Sequence, residues 1–390
     1  MNLAKWALEK SVTIGMCMKF TPFDLEYSQS VWEQKVDFNL TESGVHPITL
    51  QELIGNDESL LNKLLSTEIN YPHVNGSPPL RESIASLYNQ ATINNVLVTV
   101  GAAEANQIVM QTLLEDGDEL ATITPTYKQV WGIAENQGYK VKTFSLNSGD
   151  SWSLNIDELA AAVNEKTKIV AVVNPNNPTG HIFTKTEMQR IIAAAERVGA
   201  WILADEVYRG AEREQEKESD SFFGLYDKVI SVGSMSKAYG LPGLRIGWIV
   251  APPDTVEKVW RRHEYSTITA SMLSNSLAAH ALSPEIRPRL IARTRNYIRN
   301  GFPILQKWMD AQEGLFSYTP PQASAVSFIK YNLDINSNDL MLKLINEASV
   351  FIGSGDSFGM DHHMRIAFGQ EKEILEEAFA RIQRTLENLS

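Results

Sequence analysis

The sequence contains almost no cysteine: Cys17 is the single example among 390 residues. One thiol cannot form an internal disulfide, and it cannot supply the set of thiolate ligands that a structural metal site needs. Scarce cysteine is also typical of proteins that work in a reducing compartment. We therefore expect a cytoplasmic protein whose fold depends on neither disulfides nor a metal ion.

Long apolar runs and an excess of basic residues are missing as well. No segment stays apolar over the ~20 residues that a membrane helix needs, and Lys5, Glu9 and Lys10 interrupt the apolar start of the chain, unlike in a secretory signal. The chain has 47 Asp and Glu against 35 Lys and Arg, a net charge of −12. This balance argues against a nucleic-acid partner. Met1 and Met18 are both candidates for the first residue.

What is present is ordinary in amount. Hydrophobic residues make up 43% and charged residues 21%, values typical of a globular chain that is long enough for two domains. In the middle of the chain, strand-like apolar runs alternate with amphipathic helix-like stretches, which indicates a parallel sheet covered by helices. We predict strands at 96–100, 119–123, 140–144, 169–173, 201–204 and 228–232, and helices at 101–114 and 185–198.

The character of the sequence changes near residue 284. Beyond it the pattern predicts, in order, a long basic helix at 287–309, short strands near 325–329 and 350–352, and a final helix at 371–387. We therefore divide the chain into an N-terminal segment (1–50) that joins the small domain, a large domain (51–284) and a small C-terminal α+β domain (285–390). The acidic run at 212–220 is interpreted as a solvated loop.

The stretch SMSKAYGLPGLRIG at 234–247 places a lysine in a loop of small residues just after a predicted strand. Small residues let the backbone approach a ligand closely. Arg245 follows Lys237 by eight positions and could hold an anion there. Taken alone, however, this stretch is better explained as a surface loop that carries a lysine and an arginine.

Two other predicted strands end in groups with ligand-binding chemistry. Asp205 follows the strand at 201–204, at the carboxyl end where ligands bind in open α/β sheets, and Tyr208 lies three residues later. A carboxylate there can pair with a protonated pyridine nitrogen. The Gly-Ala-Ala turn at 101–103 opens a predicted helix, whose free N–H groups can bind phosphate. The structural alternatives are a capping aspartate and an ordinary strand–helix turn.

In this order and spacing, the motifs resemble fold type I pyridoxal-phosphate (PLP) enzymes of the class I/II aminotransferase family, over essentially the whole chain. The resemblance implies an α/β fold with a large domain, whose mostly parallel sheet lies between helices, and a smaller α+β domain. It also implies a homodimer with active sites at the subunit interface. The lysine motif assigns the covalent link with PLP to Lys237. Further implied cofactor contacts are Gly101, Ala102, Ala103, Tyr127, Asn177, Asp205, Tyr208, Ser234, Ser236 and Arg245, with Tyr71 of the neighbouring subunit.

The same resemblance implies the catalytic roles. Asp205, in ADEVY, would keep the pyridine nitrogen protonated so that the ring accepts electrons. Tyr208 and Asn177 would hydrogen-bond the ring oxygen, and Lys237 would move protons as general base and acid. Arg365, in HHMRIAFG, would bind the substrate carboxylate with its two-pronged guanidinium.

The segment around residues 37–53 departs from the Gly-x-Pro turn of ordinary aminotransferases. Its Ser-Gly-Val-His is similar instead to the hydroxyarginine cyclases, the group of capreomycidine synthase, the streptolidine- and enduracididine-forming enzymes and the guanitoxin-pathway cyclodehydratase. GDSFGMDHHMRIAFG, at 355–369, and Glu26 resemble the same group. This resemblance implies that a hydroxylated arginine, with 4-hydroxyarginine as the leading candidate, loses water and closes a cyclic guanidine such as enduracididine.

A guanidinium substrate calls for carboxylates, and Glu26 and Glu42 are the local candidates. The resemblance selects Glu26 but not Glu42. Ser43 and His46 could hydrogen-bond the leaving hydroxyl or move its proton. Glu26, Glu42 and His46 also have structural explanations, as a solvated helix residue, a surface residue and a cap of the local backbone, respectively. The histidine pair at 362–363 does not predict a metal site, because adjacent side chains on a strand point to opposite faces.

Two other functions stay open on the sequence alone. A plain aminotransferase would use every motif except the N-terminal turn, and it would require a 2-oxo acid as acceptor. A non-enzymatic sensor is the less favoured alternative. Sensors with this fold carry an attached DNA-binding domain, and the chain offers neither the length nor a basic patch for one.

Overall fold

The computed structural model describes residues 20–389. The two candidate first residues, Met1 and Met18, lie outside this range. Within that range, none of the helices combines the length and the apolar character needed to cross a membrane. The strands are, in chain order, β1 (Phe38–Asn39), β2 (Val96–Thr99), β3 (Glu119–Thr124), β4 (Lys140–Asn147), β5 (Ser153–Leu154), β6 (Thr167–Val173), β7 (Trp201–Asp205), β8 (Val229–Ser234), β9 (Gly247–Val250), β10 (Phe316–Tyr318), β11 (Val326–Tyr331), β12 (Val350–Phe351), β13 (Gly353–Ser354) and β14 (His363–Ala367).

Helices surround these strands on both faces of the larger sheet and on one side of the smaller one. They are α1 (Asp24–Trp32), α2 (Leu50–Ile54), α3 (Glu58–Ser66), α4 (Pro78–Ala85), α5 (Gly101–Leu113), α6 (Gln129–Asn136), α7 (Ile156–Ala162), α8 (Lys185–Val198), α9 (Pro253–His263), α10 (Met272–Ala281), α11 (Arg287–Asp310), α12 (Ser337–Ala348) and α13 (Lys372–Glu387).

The larger sheet has eight strands in the order β2-β9-β8-β7-β6-β3-β4-β5. The run from β8 to β4 is parallel, whereas β9 and β5 pair antiparallel with their neighbours. Parallel strands are buried on both faces and need continuous apolar sequence, which β6 shows in its run IVAVV. The prediction of a mostly parallel sheet is confirmed.

The predicted helices and strands of this sheet agree with the structure to within a few residues. Helix α8 matches its predicted range because both ends carry local signals. Thr184 and Glu187 form a capping box at its start, and Gly199 ends it in the left-handed conformation at φ +69°. The ends of two strands differ most, since β4 continues three residues past its predicted end to Asn147 and β8 continues two residues past its predicted end to Ser234, where the apolar pattern has already stopped.

The smaller sheet is antiparallel, in the order β10-β11-β14-β13. Helices α11, α12 and α13 belong to the same part of the chain as its strands. The N-terminal segment joins this part of the molecule, because β1 pairs in parallel with β12. Beyond β1, the Ala367 N–H donates to the carbonyl of Leu40 at 2.8 Å. These backbone contacts carry residues 41–46 toward the carboxyl ends of the large sheet. The domain limits at 50 and 284 stay a prediction.

The acidic run at 212–220 is not uniformly solvated, so the interpretation of it as a solvated loop is wrong at its start. The side chain of Glu212 is fully buried and forms an ion pair at 2.5 Å with Arg295 of α11. Its other oxygen accepts hydrogen bonds from the N–H groups of Gly210 and Ser219. A buried carboxylate must be paired in this way, and the sequence pattern does not reveal a partner 83 residues away.

Replacement of Arg295 tests how much this pair contributes to stability. In Arg295→Met, the carboxylate of Glu212 stays buried without its cation, so we expect the free energy of unfolding to fall by about 3 kcal/mol. The double variant Arg295→Met/Glu212→Gln removes the stranded charge and should lose less. Urea unfolding followed by circular dichroism measures both. Glu216→Gln is the control, and it should change the free energy of unfolding little because the Glu216 side chain is 81% exposed. A change in Arg295→Met as small as that of the control would contradict the expectation.

Candidate active site

A cavity of about 320 Å³ opens at the carboxyl ends of the central parallel strands. Its walls combine loops that follow these strands with the N-terminal segment and β14. The predicted site residues that line it are Glu26, Ser43, Ala102, Ala103, Tyr127, Asn177, Asp205, Tyr208, Ser234, Ser236, Lys237, Arg245 and Arg365. The fold thus brings together side chains that are up to 339 positions apart (365 − 26) in the sequence.

A larger and more open groove, of about 920 Å³, lies elsewhere on the surface, between α8 and the loop around residues 216–225. Charged side chains of both signs line it, among them Lys185, Arg209 and Glu218. None of the predicted site residues does so. Size alone does not identify an active site, and converging polar groups do, so the smaller cavity is the candidate.

Asp205 ends β7 and presents a buried carboxylate to the cavity. Asn106, from the buried face of α5, donates to its Oδ2 at 3.0 Å, and the N–H of Val207 donates to Oδ1 at 3.2 Å. Burial raises the pKa of Asp205 above its ordinary value, while these two hydrogen bonds oppose the rise in pKa. The two donors therefore favour the ionised carboxylate, the form that can pair with a protonated pyridine nitrogen.

The N-terminus of α5 forms an anion-binding corner with the loop after β8. Gly101 begins the helix at φ +75°, and a Cβ on it would lie 2.5 Å from Nη2 of Arg245. Only glycine lets the guanidinium come this close to the helix terminus. Ser234 Oγ accepts from the N–H of Ser236 at 3.0 Å, which places both hydroxyls at the same corner. Helix N–H groups, two hydroxyls and a guanidinium fit a phosphate.

Lys237 follows β8, and its ammonium donates to Oε1 of Glu42 at 2.6 Å. Burial by itself would lower the pKa of Lys237, but the negative charge of Glu42 outweighs it and raises the pKa above the ordinary value. In return, the Lys237 charge lowers the pKa of Glu42 to about 2. The two groups therefore form an ion pair at neutral pH.

Arg365 lies on β14 and is 1% exposed. Its Nη1 donates to Oδ1 of Asn177 at 3.0 Å, and its Nη2 donates to the carbonyl of Thr41 at 2.6 Å. Its Nε has no hydrogen-bond partner among residues 20–389. A buried guanidinium with a free donor is a suitable site for a carboxylate.

The N-terminal segment supplies the remaining wall. Glu26, on α1, accepts a hydrogen bond from Tyr127 Oη at 2.6 Å, and Phe23 packs against the Tyr127 ring with centroids 4.8 Å apart. Tyr208 Oη donates to Ser43 Oγ at 2.8 Å. These contacts fix two of the predicted substrate-binding side chains, Glu26 and Ser43, at the cavity.

Three predicted residues are not among those that line the cavity: Gly101, which begins α5 next to it, His46 and Tyr71. His46 lies in the same turn but points away from it, because its backbone is held by the Gly369 carbonyl and by Arg293, and its ring lies 3.3 Å from Gln370 Oε1. The structure thus does not place His46 where it could meet a substrate hydroxyl. Tyr71 is 78% exposed on the outer surface, consistent with its predicted place in a neighbouring subunit's site.

The histidine pair differs from its predicted setting. His363 is the first residue of β14, whereas His362 precedes the strand at φ +54° and is exposed. His363 Nδ1 lies 2.9 Å from the carbonyl of Asp361. The part of the chain that the structure describes contains no group of three or more histidine, cysteine or acidic side chains arranged to hold a metal.

Residues 55–382 match the family described as aminotransferase class I and II. The chain belongs to this family. Capreomycidine synthase from Streptomyces vinaceus is 29% identical over 357 residues, which cover 89% of each chain. A crystal structure of a PLP-dependent aminotransferase from Streptococcus suis 89-1591 superimposes with a TM-score of 0.90 at 31% identity, over 96% of this chain and 99% of that one. The PLP-dependent cyclase OrfR shares the fold, with a TM-score of 0.86 at 23% identity over 98% and 100% of the two chains.

As a member of the class I/II aminotransferase family, the protein uses pyridoxal 5'-phosphate as its cofactor. The cavity fits this molecule. Asp205 offers a buried carboxylate for the pyridine nitrogen, the corner at Gly101 and Arg245 offers donors for the phosphate, and Lys237 offers the amine for the aldehyde. Asp205 ends β7, Gly101 follows β2 and Lys237 follows β8, whereas Arg245 precedes β9.

The motifs missed several side chains of this aminotransferase-type site. Asn106 is the most informative, because it contacts Asp205 directly and also reaches Gln129 Oε1 at 3.2 Å. A sequence signal for it does exist: Asn106 shares the buried face of α5 with Val109 and Leu113, and an amide on an apolar stripe needs a partner. Gln29 also lines the cavity, but α1 has no apolar stripe that would single it out.

Replacement of Asn106 tests its support of Asp205. In Asn106→Leu the carboxylate loses a donor, so its pKa should rise further and it should lose its charge at a higher pH than in the wild type. We expect PLP to bind at least about tenfold more weakly, with a loss that grows as the pH falls from 8 to 6. Cofactor titration followed by absorbance measures this. Gln107→Leu, on the exposed face of α5, is the control. If Asn106→Leu binds PLP as tightly as the wild type at both pH 8 and pH 6, Asn106 does not support Asp205.

Proposed function

We propose that the protein is a PLP-dependent cyclodehydratase that converts a hydroxylated L-arginine, with 4-hydroxyarginine as the leading substrate, to a cyclic guanidine amino acid such as enduracididine. Membership in the family does not choose the reaction, because one fold hosts many PLP chemistries. The observation that carries the proposal is the carboxylate of Glu26, which lines the same cavity as Lys237 and Arg365.

Glu26 and Arg365 give the cavity an anionic and a cationic side-chain group. An arginine derivative has the complementary pair, a carboxylate for Arg365 and a guanidinium for Glu26. The resemblance of the N-terminal turn to the hydroxyarginine cyclases and the 29% identity with capreomycidine synthase point in the same direction. The protein's single cysteine agrees with a cytoplasmic location for this chemistry.

When PLP is bound, its ring accepts electrons from the substrate and makes the Cα hydrogen acidic. Lys237 then takes the Cα proton as general base, and a proton is lost from Cβ. The hydroxyl takes up a proton and leaves Cγ as water, after which a guanidine nitrogen forms a bond to Cγ and gives up its own proton, and protons return to Cβ and Cα. The balance is the loss of one water, and no oxidant or 2-oxo acid is consumed.

Ser43 is the candidate for contact with the leaving hydroxyl, because it lies at the cavity and accepts the hydrogen bond of Tyr208. Its own hydroxyl proton is then free to be donated to a substrate oxygen. We assign no such role to His46, whose ring lies against Gln370 outside the cavity.

An aminotransferase acting on a basic amino acid is the second candidate. The 31% identity with the Streptococcus suis aminotransferase favours it, and Arg365, Asn177 and Lys237 would serve either reaction. The two functions differ in their need for an acceptor, which makes them separable by one assay.

The assay uses the purified holoenzyme with 4-hydroxyarginine or 3-hydroxyarginine in deuterated water, with and without a 2-oxo acid. The cyclodehydratase should give a product lighter by one water without any acceptor, with deuterium at Cα and Cβ. Mass spectrometry and NMR identify it. Product that forms only when the acceptor is present, as a 2-oxo derivative, would replace the proposal with the aminotransferase.

Glu26→Gln tests the guanidinium contact in the same assay. Loss of the negative charge should raise the KM for hydroxyarginine by about ten- to a hundredfold, because a hydrogen-bonded charge pair is lost. Glu33→Gln, just beyond the end of α1 and exposed, is the matched control. An unchanged KM in Glu26→Gln would remove Glu26 from the substrate site.

We further propose that the active enzyme is a homodimer and that Tyr71 of each subunit completes the phosphate site of the other. In its own chain, Tyr71 does not line the cavity and its side chain is exposed, as are those of Ile69 and Leu65 in the same stretch of sequence. Several exposed apolar side chains within one short segment favour a surface that is covered in the assembly.

Subunit mixing tests this arrangement. Lys237→Ala and Tyr71→Ala should each be nearly inactive alone, whereas refolding an equal mixture should restore about a quarter of the wild-type activity. The reason is that half of the dimers are then mixed, and each contains one site with both residues intact. Light scattering confirms the dimer. Activity of the mixture no higher than the sum of its parts would show that Tyr71 acts within its own chain or not at all.

A further inference from the structure

Glu42 has two partners that hold its carboxylate in one place. Its Oε1 accepts from the Lys237 ammonium at 2.6 Å and from the N–H of Gly44 at 3.0 Å. The second contact is local and does not depend on Lys237. The carboxylate is therefore oriented toward the lysine by its own turn, rather than drawn there as a mobile side chain.

The turn itself is fixed on both sides of Glu42. The carbonyl of Thr41 accepts from Arg365, and the hydroxyl of Ser43 accepts from Tyr208. Upstream, the carbonyl of Leu40 accepts from the N–H of Ala367. Three consecutive residues thus meet three different polar groups of the cavity, and Glu42 is the one that meets the lysine.

The other titratable groups around Lys237 do not replace this partner. Tyr208 and Arg365 act on it across the cavity, and Asp205 interacts with it from the end of β7. Tyr208 is engaged with Ser43, and Asp205 is engaged with Asn106. Arg365 is a cation and repels the ammonium. Glu42 is the carboxylate in hydrogen-bond contact with Lys237.

We propose that Glu42 is a positioning residue that holds the ammonium form of Lys237 at the cavity, so that the proton taken from the substrate stays on this lysine until it is returned. This inference rests on the role of Lys237 proposed above. It also gives the two glutamates of the N-terminal segment different roles. Glu26 would bind the substrate guanidinium, whereas Glu42 pairs with the ammonium of Lys237.

The first test is a pH titration of the holoenzyme without substrate, because the absorbance of bound PLP reports protonation of the nitrogen that joins it to Lys237. Glu42→Gln keeps an oxygen that accepts from Gly44, so the turn should persist, but it removes the charge. We expect the midpoint to fall by about one pH unit or more. Glu42→Asp should restore part of the difference, and Glu26→Gln, which changes a cavity carboxylate that does not touch Lys237, should leave the midpoint unchanged.

The second test follows Lys237 itself after PLP has been removed from the full chain with hydroxylamine. Reductive methylation with formaldehyde, read by mass spectrometry of the peptide that contains Lys237, measures the neutral amine at each pH. At pH 8 the lysine of Glu42→Gln should react at least about tenfold faster than that of the wild type, since the ammonium has lost its counter-charge. If the absorbance titration and the labelling disagree, the labelling result decides whether Glu42 acts on Lys237, because it reports on the lysine directly.

Equal labelling rates in the wild type and Glu42→Gln across the pH range would overturn the inference. Neither measurement contains a substrate, so its outcome is independent of the cyclisation assay. A wild type that fails to cyclise hydroxyarginine would remove the proposed reaction and leave the Glu42–Lys237 pair standing. If Glu42→Gln changes the rate of cyclisation but not the labelling rate of Lys237, the proposed reaction stands and the positioning role of Glu42 is removed.

Discussion

Two cationic side chains meet at the carboxyl edge of the large sheet, and the geometry of the site depends on how their charge is satisfied. Lys237 follows a parallel strand and Arg365 lies on the smaller sheet; the Arg365 side chain is buried and the Lys237 side chain is 23% exposed. A shielded cation without an oxygen partner costs several kcal/mol. The turn at 41–43 supplies those partners, and the backbone pairing of β1 with β12 holds the turn in place. The cavity is therefore closed by the same contacts that satisfy its charges.

The two carboxylates of the site, Asp205 and Glu42, each have hydrogen-bond donors as well. Asp205 is buried beside the cavity, and burial raises its pKa while hydrogen bonds from Asn106 and the N–H of Val207 oppose that rise. Glu42 lies at the opposite wall, where the lysine charge keeps its pKa at about 2. One carboxylate is thus placed to pair with a cofactor nitrogen and the other with an amine.

Membership in the class I/II aminotransferase family does not choose the reaction, and the resemblance to the hydroxyarginine cyclases lies largely in the N-terminal segment. Here that segment presents Glu26 on α1 and the Thr-Glu-Ser turn that follows β1. A carboxylate in a cavity that already contains an arginine suits a substrate with charges of both signs at its ends. The proposed cyclodehydratase activity follows from this feature, and the likeness to capreomycidine synthase agrees with it.

The sequence by itself indicated six of the eight strands of the large sheet, the family and most of the side chains that line the cavity, because these depend on local patterns: apolar runs, caps, glycine turns and motifs at strand ends. It did not determine which distant groups would meet. The pairing of Glu212 with Arg295, of Asn106 with Asp205 and of Glu42 with Lys237 was decided by the tertiary structure. The physical reason is that a buried charge is satisfied by whichever group the fold brings within hydrogen-bond distance, and that distance is not encoded in any contiguous stretch of the chain.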